Sequence, residues 1–448
     1  MQELLNDAAS RAARYLNDIP GRRVPPCSEA VADLARFDIP WQDEPHDPAR
    51  VLAELDETGG PATLASTGGR FFGFVVGGCL PACLAANVLA GAWDQNGAYQ
   101  VLSPVAARLE AVAMRWLIEL FGLPPDTGAG FVTGATLANF SGLAAARHAL
   151  LAREGWDVGS KGLFGAPEIT VIVGDEVHAS VLKALNMLGF GRERLVRVPA
   201  DGQGRLRPEL LPAISSPAIV CIQAGNVNTG AFDPAAEICA RAHQAGAWVH
   251  VDGAFGLWAL AAPKRAPLAA GVVEADSWAM DAHKWLNVPH DNALVFVRNP
   301  EHLRAAMAEK AAYLIEQEGR EPCHYTPEFS RRARGIEIWA ALRSLGKSGL
   351  AEQIDRCCRL AVRFADGLRK AGYAVLNEVV LNQVLVDFGD AEKTREVIRR
   401  LQAEGLCWFG GTVWQQHTAM RISVSSHATC EADVDESLQA ILRAAAEA

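Results

Sequence analysis

The feature that most constrains this chain is an alternation between short apolar runs and helix-like segments. Runs at 169–173, 219–223, 247–251, 278–281 and 293–297 are nearly uninterrupted apolar stretches, separated by helix-like segments such as 179–188 and 234–244. A strand that is apolar along its whole length is buried on both faces, as happens when crossover helices cover both sides of a parallel sheet. The expected architecture is therefore α/β, with a mostly parallel central sheet and helices on both faces. Ahead of it, 103–121 predicts a long helix. Ser103 can cap it, Pro104 suits its first turn, and Val105, Leu109, Val112, Trp116 and Leu120 recur at helical spacing. Beyond residue 330, helix-like segments at 331–345 and 350–371 lead to short strands near 383–388 and 419–424. A final helix follows, with Thr429 as its expected cap and Glu431 and Asp433 in its first turn. The chain is thus expected to divide into an N-terminal segment (1–65), a large domain (66–325) and a smaller C-terminal α+β domain (326–448).

Composition narrows the functional classes. Over 448 residues, 42 Lys and Arg against 52 Asp and Glu give a net charge of −10. That balance argues against nucleic acid or an anionic membrane as partner, because both need a basic surface to displace counterions. The stretch from Phe71 to Trp93 carries no charge and is long enough to span a bilayer. Gly77, Gly78 and Pro81 interrupt it, so a buried loop followed by a core helix is expected instead. Ten scattered cysteines form no CxxC and no metal-ligand spacing. No metal site is expected. Asp7, Arg11, Arg14 and Asp18 leave no apolar leader in the first twenty residues, and a cytoplasmic location with reduced thiols follows as the expectation.

A parallel sheet invites nucleotide signatures, and they fail here. Gly128-Ala-Gly130 and Gly189-Phe-Gly191 do not complete GxGxxG, and Gly346-Lys347-Ser348 lacks the earlier glycine of a phosphate loop. Four other segments carry chemistry. Residues 133–139 (TGATLAN) place small and hydroxyl side chains before a helix-like run, where free backbone N–H groups can receive a phosphate. An ordinary helix cap reads the same way. Residues 249–255 (VHVDGAF) put Asp252 at the C-terminal end of a buried strand, where open α/β sheets bind ligands. A turn aspartate is the plainer alternative. Residues 280–286 (MDAHKWL) place Lys284 after a strand; in an apolar pocket its ammonium would be disfavoured, as a carbonyl-condensing amine requires. An exposed loop lysine would look alike. Residues 174–180 (GDEVHAS) add His178, which a structural histidine would equally explain.

Taken in order, phosphate turn, His, strand-end Asp and Lys resemble the fold-type I pyridoxal-phosphate enzymes. The resemblance is to the group II amino-acid decarboxylases, which include aromatic amino-acid and glutamate decarboxylases. It runs through roughly 66–300 and more loosely beyond, and DAHKWLNVP, close to the family's N-P-H-K-W pattern, is its most specific part. It implies a transferase-like fold and pyridoxal 5′-phosphate as cofactor, held covalently by Lys284. Asp252 would pair with the ring nitrogen. His178 would stack on one ring face with Ala254 on the other. Gly134, Ala135, Thr136 and His283 would hold the phosphate, and Asn226 would be a polar neighbour.

The family's substrate end is built at a homodimer interface, and the resemblance places Phe71, Phe72, Phe74, Trp93 and Asn96 there. For the three phenylalanines, plain core is an equal alternative. Group II enzymes also carry a catalytic tyrosine on a mobile loop that reaches the neighbouring subunit; Tyr325 is the better match in the stretch 312–332, with Tyr313 as the alternative and a plain hinge tyrosine as an equal reading. The resulting expectation is decarboxylation of an L-amino acid, aromatic favoured, to CO2 and an amine. An aldolase, transaminase or oxidative deaminase would use the same Lys284 and Asp252, and a non-catalytic dimeric binder is the rival from another class. Arg421 bears on this choice, because a carboxylate clamp there would favour transamination, while an ion pair is its plain reading.

Overall fold

The structure, a computed structural model, describes residues 1–309 and 319–448. Its centre is a seven-stranded sheet in the order β1-β7-β6-β5-β4-β2-β3. The strands are β1 (Gly128–Val132), β2 (Thr170–Gly174), β3 (Val196–Val198), β4 (Ala218–Gln223), β5 (Trp248–Asp252), β6 (Ser277–Asp281) and β7 (Ala293–Val297). The pairs from β6 through β3 are parallel, while β7 runs antiparallel to both β6 and β1. Five of these strands are the apolar runs read from the sequence. The other two, β1 and β3, carry weaker signals: GAGFV has two glycines, and VRV is three residues long with an exposed arginine at its centre. Gly130 is nevertheless required, because a Cβ there would collide with the carbonyl of Tyr325.

A second, antiparallel sheet has the order β10-β11-β9-β8, with β8 (Ala374–Val375), β9 (Gln383–Asp387), β10 (Gly410–Trp414) and β11 (His417–Ser423). The two helices expected before it are one element, Gly335–Lys370, kinked at Gly346 with φ 61°.

Three expectations need correction. The helix Pro104–Phe121 buries Ala106, Glu110, Ala113, Leu117, Ile118 and Phe121 rather than the face named from its larger residues. Alanines allow close approach there, and the buried Glu110 carboxylate is neutralised by Arg331 at 2.8 Å. The helix Pro81–Trp93 is no core helix in this chain: Cys83 is its one buried residue, and Val88 is 64% exposed. Among the described residues no helix is long and apolar enough to cross a membrane. Finally, Cys430, not Thr429, caps the helix Glu431–Glu447, its N–H donating to Asp433 at 2.9 Å; the Thr429 hydroxyl donates to the Gly69 carbonyl.

Candidate active site

The register of the large sheet brings β4, β5 and β6 to one rim, ending at Gln223, Asp252 and Asp281. β1 ends beside them, since Val132 and Asp281 both pair with Ala293. The chain leaves β1 through Thr133 and Gly134 into the helix Ala135–Arg153. Gly134 is extended and offers no side-chain cap. Among the described residues, none accepts from the N–H groups of Thr136 or Leu137. This end of the helix thus keeps free donors and the positive end of the dipole.

Asp252 is buried and fully engaged. Its Oδ1 accepts the Ala254 N–H at 3.2 Å. Its Oδ2 accepts from the Asn139 amide and the Ser180 hydroxyl, each at 3.4 Å. Behind Asn139 lies a chain of buried polar groups: Asn139 Oδ1 meets His250 Nε2 at 2.9 Å, and His250 Nδ1 meets Ser277 Oγ at 2.8 Å. The Trp248 indole N–H donates to that same Ser277 oxygen at 2.8 Å. Burial pushes the His250 imidazole down to about 3, so it is neutral at physiological pH. A neutral ring has one N–H. With Trp248 donating to Ser277, the consistent order is Ser277 donating to Nδ1, Nε2–H donating to Asn139, and the Asn139 amide donating to Asp252. Each step leaves Asp252 an acceptor. Gly142 makes room for this chain, since a Cβ there would press on the His250 ring.

His178 precedes the helix Ala179–Met187, and its Nδ1 lies 2.7 Å from Ser180 Oγ. Its pKa is lowered, first by burial and then by the Lys284 and Arg421 charges, against the opposing pull of Asp252. Lys284 lies 5.9 Å from the centroid of the Phe255 ring. Contrary to the expectation of an apolar pocket, its Nζ is 3.2 Å from Asp281 Oδ2. Asp281 Oδ1 accepts the Ala135 N–H at 2.7 Å and lies 3.7 Å from His283 Nε2. Gly77 completes the enclosure, because a Cβ there would strike the Lys284 carbonyl.

Lys284, Asp252, His178, Ala254, His283 and the Gly134-Ala135-Thr136 turn therefore gather at one rim. Asn226 lies in the turn after β4: its Oδ1 accepts from the Asn228 and Thr229 N–H groups, and its Nδ2 is buried near Gly204 with no hydrogen-bond partner among the described residues. Tyr325 is elsewhere in this chain. Its ring stacks 4.6 Å from the Arg320 guanidinium and lines a cavity with Gly128 and Pro300, at the far end of β1. Tyr313 lies outside the described residues.

Of the substrate-end residues, Phe72 is core, packed against Phe364 and Phe409. Phe71 and Phe74 stack on Trp408, with centroids 5.1 and 5.3 Å away, and Phe74 is 62% exposed. Trp93 is exposed at a helix end, and Asn96 accepts from Ala98 and Arg331 N–H groups; none of these contacts reaches Lys284. Arg421 is half-buried and donates to the Val227 carbonyl at 3.3 Å; among the described residues no carboxylate pairs with it. Asn139, Ser180, His250 and Asp281 are site residues to which the sequence reading gave no role, although all four lie inside the motifs it quoted.

Comparison with known proteins agrees with this geometry. An acidic amino acid decarboxylase of Mus musculus is 30% identical over 324 residues, 69% of this chain and 58% of that protein's length. Tryptophan decarboxylase 1 of Oryza sativa subsp. japonica is 28% identical over 438 residues, covering 88% of this chain and 84% of the relative. The fold is that of the crystal structure of Oryza sativa TDC with PLP and tryptamine, at TM-score 0.91 and 23% identity over all of this chain and 97% of that one. Residues 34–388 match the pyridoxal-dependent decarboxylase conserved domain, and the chain belongs to that family.

Proposed function

We propose that this chain is a pyridoxal-phosphate-dependent carboxy-lyase that converts an L-amino acid, aromatic in preference, to its amine and CO2. One observation carries the reading: the Lys284 amine, the Asp252 carboxylate and the His178 imidazole converge beside a helix N-terminus with free N–H groups. That donor set fits the cofactor, because it offers an amine, an anion for a ring nitrogen, a flat face and a phosphate seat. Pyridoxal phosphate, when bound, supplies an electron sink for the pair left by departing CO2.

The protein's own groups supply the rest. Asp252, held as an acceptor by Asn139 and Ser180, keeps a proton on the ring nitrogen. His178, neutral through burial, offers its ring face rather than a second positive charge. The Thr136 and Leu137 N–H groups, with His283, take the phosphate. Lys284 anchors the cofactor and returns a proton to the carbon that has lost CO2. Phe71, Phe74 and Trp408 form an apolar stack that suits an aromatic side chain. A homodimer fits the exposed Val88, Leu89 and Trp93 on the helix Pro81–Trp93, since a second copy would bury that face. A cytoplasmic location fits ten free cysteines.

Arg421 favours a second reading. A half-buried cation without a carboxylate partner among the described residues, close enough to His178 to lower its pKa, suits a substrate carboxylate held for transamination. The 28% identity to a 4-hydroxyphenylacetaldehyde synthase of Rhodiola rosea keeps oxidative deamination beside it.

The test is to incubate the cofactor-loaded protein with each of the twenty amino acids, with O2 and with an α-keto acid as amino acceptor, and to measure CO2, amine, ammonia, aldehyde, keto acid and aminated acceptor. Equal CO2 and amine from an aromatic substrate is expected. Substrate keto acid with an equal amount of aminated acceptor and no CO2 would establish transamination, CO2 and aldehyde with ammonia and consumption of O2 would establish decarboxylation with oxidative deamination, and no product at all would leave a binder.

A further inference from the structure

Asp281 stands at the helix N-terminus proposed to receive the cofactor's phosphate, and it is itself a carboxylate. Both of its oxygens are engaged. Oδ1 accepts the N–H of Ala135, the first residue of the helix Ala135–Arg153, at 2.7 Å, and Oδ2 lies 3.2 Å from Lys284 Nζ. The side chain is only 4% exposed. Its backbone is fixed on both sides, because the Asp281 N–H donates to the Ala254 carbonyl at 2.9 Å and the Trp258 indole donates to the Asp281 carbonyl at 2.9 Å. The carboxylate can leave Ala135 only by turning about its own side-chain bonds.

A phosphate seated on this helix end meets the free N–H groups of Thr136 and Leu137, but the Ala135 N–H is already taken. Oxygens of like charge in one buried seat repel strongly, because little water intervenes. His283, whose Nε2 is 3.7 Å from Asp281 Oδ1, relieves this little, since burial lowers its pKa and keeps it neutral.

We propose that Asp281 acts as a resident anion in the phosphate seat, competing with the cofactor's phosphate for the Ala135 N–H. Resting on the reading that pyridoxal phosphate binds at Lys284, this makes the phosphate contribute less to cofactor retention than the seat's free donors would allow. An asparagine of the same length would remove the competition while keeping a hydrogen-bonding side chain.

The experiment titrates the cofactor-stripped full chain with pyridoxal 5′-phosphate, pyridoxal and inorganic phosphate by calorimetry, for wild type, Asp281→Asn and Asp281→Ser. The variants should bind pyridoxal 5′-phosphate and inorganic phosphate at least tenfold more tightly, with pyridoxal changing less than threefold. An equal change for pyridoxal and its phosphate would mean that Asp281 acts on Lys284 alone and would overturn the proposal, as would weaker phosphate binding. Should neither variant fold, crystals of wild type with and without cofactor decide it. Asp281 Oδ1 must leave the Ala135 N–H when phosphate is seated, and an unchanged contact would overturn the competition. Borohydride reduction of the loaded wild type, followed by peptide mapping, tests the underlying reading separately: label on a lysine other than Lys284 sinks that reading whatever the phosphate affinities are.

Discussion

The cofactor side of the candidate site and the aromatic stack proposed as its substrate wall are built by different physics. On the cofactor side, Asp252 is held by Asn139, Ser180 and the Ala254 N–H, and the chain continues through His250 and Ser277 to Trp248. Every group in that chain is buried and paired, so Asp252 cannot relax without unpairing a neighbour. On the aromatic side, Phe71, Phe74 and Trp408 are held by ring stacking, and Phe74 is exposed. Stacking is worth little per pair and tolerates rearrangement. The contrast teaches that the inner wall is fixed before any ligand arrives, while the outer wall can adapt to what it receives. Damage to the first should appear in turnover and stability, and damage to the second in substrate affinity.

The largest effect is expected at Asp252. With cofactor saturating, Asp252→Ala should lower kcat by about 100-fold or more, roughly 3 kcal/mol of barrier, with KM little changed. Steady-state kinetics of amine release reads this directly, and near-normal turnover would break the comparison at its inner end.

His250 comes next, and its effect should appear in folding. His250→Phe leaves Asn139 Oδ1 and Ser277 Oγ buried without their partner, at a cost of about 1–3 kcal/mol in urea unfolding. The pH dependence has a definite sign. The unfolded histidine takes up a proton near the reference value of 6.5, whereas the folded one stays neutral down to about 3. Between those values the unfolded state binds more protons, so this residue's contribution falls as pH falls, by up to about 1.4 kcal/mol per pH unit. Unfolding curves at pH 7 and pH 5 should therefore converge in His250→Phe relative to wild type.

The smallest effect belongs to the outer wall. Trp408→Ala removes both stacks, each worth about 0.5–1.5 kcal/mol. It should raise KM for an aromatic substrate about five- to tenfold while kcat moves less than twofold. A collapse of kcat instead would show that the aromatic wall is as rigid as the Asp252 side and would erase the distinction.

Much of the inner wall was legible before any coordinates. Lys284, Asp252 and His178 each follow an apolar run, and strand ends of parallel sheets converge on one rim. Less legible were the partners that fix them. Asn139 reads as the last residue of the turn motif 133–139, and Ser277 and Trp248 read as strand residues, because nothing local announces a hydrogen bond to a side chain on another strand or helix. Asn226 and Tyr325 show the reverse, since within this chain each is engaged locally. A polar residue after a strand can serve its own turn, and a tyrosine on a connecting segment can pack on an arginine of that segment. The helix Pro104–Phe121 misled because its largest apolar residues do not mark its buried face when alanines allow closer packing.

By itself, then, the sequence determined the alternation of strands and helices and the chemistry of the rim, since both follow from local periodicity and from residue type at strand ends. Tertiary structure alone decided that β7 runs against its neighbours, which sets Ala293 beside both Val132 and Asp281. It also decided that Asp281 reaches the Ala135 N–H and the Lys284 amine together. Those contacts join residues distant in sequence, and a side chain's partner across such a distance is chosen by the packing of whole elements, which no local pattern encodes.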